Sequence, residues 1–96
     1  MNAIIFEWDE NKDRENQKKH KVSFEEAKSV FYDDSARLIL DPYHSEKEDR
    51  FILLGLSVKL RMLVVVHSYR EKDEVIRIIS ARKATKNETN FYERGK

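Results

Sequence analysis

The sequence predicts an α+β fold, and three observations carry the prediction. Four runs rich in Val, Ile and Leu, "ARLIL", "RFILLGLSV", "RMLVVVHSYR" and "EVIRIISAR", follow one another from Ala36 onwards. Such runs are strands, and the short connections make neighbours antiparallel. Two helix-start signals precede them, Asp9 ahead of "ENKDRENQKKH" and the Ser23/Glu26 pair of "SFEEAKSVFYD", and a third, Thr85 with Glu88, follows them. The expected architecture is two N-terminal helices packed on one face of an antiparallel sheet of four to five strands, with a short C-terminal helix.

In order, "AIIFEW" is a short strand, Ala3 to Trp8, and Trp8, ending an apolar run, is expected in the core, its alternative being a base-stacking platform. The helix after Asp9 has no apolar residue and gains only i,i+4 pairs, Glu10 with Arg14 and Glu15 with Lys19, so it depends on the rest of the domain. In the second helix Phe24, Ala27, Val30 and Phe31 form the core-facing stripe. The polar loop "DPYHSEKED" separates the first two of these four strands, and the last helix runs from Thr85 towards Tyr92.

Composition narrows the function classes. Ninety-six residues with 40% apolar and 39% charged side chains make a single folded domain, residues 1–96. The absence of cysteine excludes disulfides, cysteine-based zinc sites and thiol nucleophiles. The first ten residues lack the pattern of a secretory signal, and no apolar run approaches a membrane span, so a cytoplasmic protein is expected. The net charge of +1 conceals a polarity: residues 33–49 carry six acids against two bases, and residues 77–96 six bases against two acids. Opposite patches suit different partners.

The segments "FEWDENKDRENQKKHKVSFEEA", "HSEKEDRFILLGLS", "LVVVHSYR" and "RIISARKATKNE", in this order and spacing, resemble the BrnT family of bacterial type II toxins from Phe6 to about Tyr92. The resemblance implies a ribonuclease of RelE-like fold that inhibits translation. It also implies neutralisation by a BrnA-type antitoxin with a ribbon-helix-helix DNA-binding domain, in a heterotetramer if the antitoxin dimerises. Two positions depart from the family pattern. Lys21 stands where members usually have Gly after the Lys-His pair, so a left-handed cap there costs about 1 kcal/mol or the turn differs. Asn87 and Thr89 interrupt a continuation that is often basic.

Cleavage of RNA without a metal requires attack by the ribose 2′-hydroxyl, proton transfer, and cations for the phosphorane charge. A tight hairpin at "EKDE" would set His67 opposite Ile78 and Leu63 opposite Arg82. Arg61, His67, Tyr69, Ser80 and Arg82 would then share one face, with Arg70 and Arg77 on the other. An unperturbed histidine at position 67 would exchange a proton near neutrality, Tyr69 would donate a hydrogen bond or stack, and Arg82 would hold two phosphate oxygens at once. The expected catalytic residues are therefore His67, Tyr69 and Arg82. Each has a structural alternative: a satisfied strand-end histidine, a packing aromatic, a solubilising cation. Arg61, Arg77 and Lys83 are expected to bind substrate. So are Lys19 and His20, which share a helix face with Lys12 and Asn16 that would otherwise be only solvated.

No cofactor is expected, because the loop carrying His44, Glu46, Glu48 and Asp49 and the scattered histidines lack zinc-ligand spacing. No nucleophile motif supports a Ser-His-Asp triad. Against the nuclease stand a non-catalytic module binding RNA or protein, and a subunit that holds a DNA-binding partner.

Overall fold

A computed structural model describes residues 4–40, 50–70, 72 and 74–95. The loop "DPYHSEKED" and two positions of the "EKDE" tip, 71 and 73, lie outside the described residues, and with them the readings made of His44, Glu46, Glu48 and Asp49. The chain runs β1 (Ile5–Glu7), α1 (Glu10–His20), α2 (Phe24–Ser29), a 3-10 turn (Val30–Tyr32), β2 (Arg37–Leu40), β3 (Phe51–Leu56), β4 (Met62–Arg70), β5 (Val75–Lys83) and α3 (Lys86–Arg94). One five-stranded sheet forms in the order β1-β5-β4-β3-β2.

The four strands β2 to β5 pair antiparallel with their neighbours, as their short connections require. β1 instead joins β5 in parallel, Phe6 opposite Ile76, so the sheet is mixed rather than antiparallel. A strand separated from its partner by two helices and three other strands is free of hairpin geometry, and either direction is open to it.

Asp9 caps α1 by accepting from the amides of Asn11 and Lys12 at 2.8 and 3.2 Å. At the other end Lys21 adopts φ 61° and ψ 31°, and its amide donates to the Gln17 carbonyl. The left-handed cap is thus kept with a lysine in it, at the backbone cost a glycine avoids. Ser23 caps α2 through the Glu26 amide, but the Glu26 side chain does not return the bond. It turns inward, 3% exposed, to accept from Ser57 Oγ at 2.7 Å and Arg61 Nε at 2.8 Å. The reciprocal box forms in full at α3, between Thr85 and Glu88.

Val22, Phe24, Ala27 and Val30 pack on Leu53, Leu63, Val65, Ile78 and Ala81, with Trp8 and Phe31 at the margin, so the predicted stripe faces the sheet. At Gly55 a Cβ would lie 2.9 Å from both Val30 Cγ1 and Ala36 Cβ, so only glycine lets the turn approach β3 this closely. The opposite sheet face holds a second cluster, Leu54 and Val64 under Tyr92, with Ile52, Met62 and Phe91 packed against it. Helices therefore flank both faces, α1 and α2 on one and α3 on the other.

The β4–β5 register breaks once. His67 lies opposite Ile78 as expected, but Val66 lies opposite Ser80, leaving Ile79 as an extra residue in β5. Beyond this bulge Arg82 is paired with Val64 and Lys83 with Leu63. The side-chain alternation of β5 is thereby reversed along its second half.

Candidate functional site

The bulge decides which side chains can meet. His67 and Tyr69 share a face with Leu63 and Val65, under α2 and the 3-10 turn, whereas Arg82 shares the opposite face with Val64, under α3. The expectation that His67 and Arg82 lie on one face is therefore corrected: the inserted Ile79 carries Arg82 through the sheet. Arg70 and Arg77 do lie opposite His67, as alternation requires, and Arg82 joins them there.

His67 is fully buried, its ring edge-on to Phe31 at 4.8 Å and to Tyr69 at 5.1 Å. Nδ1 lies 3.2 Å from the Val65 carbonyl and Nε2 3.2 Å from the Tyr69 hydroxyl, so both nitrogens have partners. Burial pushes its pKa down to about 4, which leaves the ring neutral at pH 7. Tyr69 packs edge-on against Phe51 at the same end of the sheet.

Arg61 is committed elsewhere. Its guanidinium pairs with both oxygens of Glu26 and donates to the Lys21 carbonyl at 3.0 Å, locking the β3–β4 turn to the α1–α2 corner. Lys19 and Lys83 are exposed and His20 half-exposed; of the three, Lys83 alone has a described contact with Arg82, its backbone carbonyl accepting from Arg82 Nη1 at 3.2 Å. Asn16, read as part of a solvated cationic face, is instead buried: its amide donates to the Val22 and Ala81 carbonyls at 2.8 and 2.9 Å, and its oxygen accepts from the Ala81 amide.

The α3 side of the sheet resolves into three rows. The first runs Glu7, Arg77, Ser68 across β1, β5 and β4, and by alternation Arg50, just ahead of β3, extends it. Glu7 pairs with Arg70 at 3.1 Å and with Arg77 at 3.6 Å. Ser68 is 3% exposed, and its hydroxyl has no hydrogen-bond partner among the described residues. The second row is Ser80, Val66, Ile52, Ile39, and all four are only partly buried. The third is Arg82, Val64, Leu54, Arg37, roofed by α3.

Arginines hold both ends of that roof. Arg37 lies 3.9 Å over the Phe91 ring and donates to the Phe91 carbonyl at 2.8 Å. Arg82 donates from both terminal nitrogens to the two oxygens of Glu88, at 2.8 Å each. That fork, with the Thr85 cap, holds the Glu88 carboxyl at a pKa of about 2 and raises that of Arg82. The partly exposed second row is thus the floor of a half-open channel, with Arg77 of the first row along one side and Arg82 and α3 along the other. It is suited to binding an anionic chain with its phosphates on guanidinium groups.

The model of the family described as "Ribonuclease toxin, BrnT, of type II toxin-antitoxin system" matches residues 8–88. The chain belongs to the BrnT family. The crystal structure of the Brucella abortus ribonuclease toxin BrnT superposes with a TM-score of 0.66 at 23% identity, covering 88% of this chain and 100% of that one. At that identity the likeness is one of fold, and it agrees with the three helices and mixed sheet found here. No curated protein sequence shows a significant match to the chain. In this BrnT-family chain no described helix is long and apolar enough to cross a membrane.

The arginines at positions 77 and 82 were visible in sequence, but Arg50, Ser68 and Ser80 were not singled out as site residues. Their signal was parity: counted from Arg77, Ser68 falls on the same row by hairpin register alone. Ser80 joins them only through the bulge, which no composition rule announces.

Proposed function

We propose that the chain is a toxin that cleaves RNA without a metal ion on the sheet face opposite α1 and α2. Arg82 is the observation that carries this reading: a preorganised guanidinium fork on one side of the partly exposed Ser80–Val66 row, with Arg77 on the same sheet face across that row. A carboxylate presents two oxygens much as a phosphodiester does, so Glu88 keeps the fork in the geometry a phosphate needs and is displaced by it. The ribose 2′-oxygen then bonds to phosphorus as the bond to the 5′-oxygen breaks, leaving a 2′,3′-cyclic phosphate and a 5′-hydroxyl end. Arg82 and Arg77 offset the charge of the phosphorane between them.

We assign His67 and Tyr69 to holding the fold on the other side of the sheet from the site, because the imidazole is sealed in the core with both nitrogens engaged. Proton exchange then falls to water in the open channel. Lys83, Lys19, His20 and Arg61 stand outside the channel and contribute at most to steering RNA.

A BrnA-type antitoxin, with its ribbon-helix-helix domain and assembly into a heterotetramer, would silence the toxin in the cytoplasm by laying acidic or helical surface over the same face. The test is incubation of purified protein with RNA in excess chelator. The expected products carry cyclic phosphate ends, and a 2′-deoxy substitution at the scissile nucleotide stops the reaction. Salt-sensitive RNA binding with no product under any condition would leave only the non-catalytic binding module.

A further inference from the structure

Beside Arg82 the channel deepens into a cleft of about 210 Å³ between the sheet and the start of α3. Its walls are Ile39, Ile52, Leu54, Val64 and Phe91, and its rim is Asn87 and Glu88. Val64 is the strand partner of Arg82, and the Arg82 guanidinium grips Glu88 on the rim, so the cation stands at the edge of the cleft. The volume falls below the roughly 300 Å³ at which drug-sized sites begin and suits one flat ring system. Its apolar walls favour stacking, its rim offers a side-chain amide with adjacent donor and acceptor, and the cation next to it fixes an anion.

We infer that this cleft is a base subsite, holding one unpaired nucleobase of the RNA while its phosphate lies on Arg82, with Asn87 reading the base edge. Resting on the proposed RNA cleavage, this makes Asn87 a determinant of base preference. An amide at this rim favours bases that present a donor beside an acceptor, adenine foremost.

The full chain is titrated with the four ribonucleoside 3′-monophosphates and with inorganic phosphate, observing the methyl resonances of Ile39, Ile52, Leu54 and Val64. The expected result is that at least one nucleotide moves these methyls and binds about tenfold tighter than phosphate, as one bidentate base contact allows. Asn87→Ala should bring the four nucleotides to within about twofold of one another, the discrimination being carried by that contact. Ile52→Phe, which fills the cleft, should abolish the nucleotide advantage and spare phosphate binding.

Methyls that stay fixed with every nucleotide, or that move with N-acetyl-leucine amide instead, would make the cleft a protein-docking pocket and overturn the inference. Unchanged preference in Asn87→Ala would do the same. RNA cleavage with unmoved methyls removes the subsite alone, whereas nucleotide binding without cleavage removes the reaction alone.

Discussion

A neutral imidazole in an apolar pocket ties the stability of this protein to pH. His67 takes a proton at about pH 4 in the fold and near 6.5 when unfolded, so between these values the unfolded chain binds the extra proton. Stability is therefore full above about pH 6.5 and declines as pH falls towards 4. Urea midpoints measured across that window should drop in the wild type and flatten in His67→Leu. The same window left unchanged by the substitution would contradict the burial. Glu88 acts lower: its folded pKa of about 2 lies below the ordinary 4.5, so its contribution is complete above pH 4.5 and lost as pH falls through 2. Arg82→Ala removes the larger cause of that shift, and the carboxyl titration followed by NMR should move up towards the ordinary glutamate range.

At the scale of elements, β5 shows both what sequence can reveal and what it cannot. Its existence, length and pairing with β4 follow from "EVIRIISAR" and a short hairpin, and the register is right as far as Ile78. The bulge at Ile79 defeats parity because an apolar residue suits either face near a covered strand, so nothing in its side chain marks it as extra. Asn16 was misread for a related reason. Pairing with β1 covers only Val75 to Arg77, so the outer edge of β5 is unpaired at Ala81, and the Asn16 amide supplies both missing hydrogen bonds. A polar helix residue chosen to complete a sheet edge looks in sequence like any solvated one. Asn16→Ala should cost about 2–3 kcal/mol, since it strands buried backbone groups, against a few tenths for Lys19→Ala on the exposed face. Chemical denaturation separates the two.

The capping signals were legible because they act over three residues and need no tertiary partner, which is why Asp9, Ser23 and Thr85 all start helices. Glu26 departed from its box once the fold offered it Arg61 and Ser57, stronger partners than its own N-cap amide. The fold class and the core stripe were likewise local in origin. The parallel placement of β1 and the position of α3 on the second face arise only when the whole chain is assembled.

Across the molecule, that assembly separates the labour of the two sheet faces. One is sealed by α1 and α2 and contains His67; the other is half open and carries Arg70, Arg77 and Arg82. Three phosphate contacts on that face predict that log K for single-stranded RNA falls with log salt at a slope of about −2, and that each arginine removed lessens the slope by about 0.7. A slope unaffected by Arg77→Ala and Arg82→Ala would place the RNA elsewhere. The most direct measurement of the central claim is single-turnover RNA cleavage in excess chelator by wild type, Arg82→Ala and His67→Gln, each corrected for its folded fraction. With the reaction on the α3 face, Arg82→Ala loses about 10²- to 10³-fold, the scale of one preorganised charge-stabilising donor, while His67→Gln keeps its rate per folded molecule. Loss of cleavage in folded His67→Gln, with Arg82→Ala unimpaired, would contradict the account and return the chemistry to the opposite face.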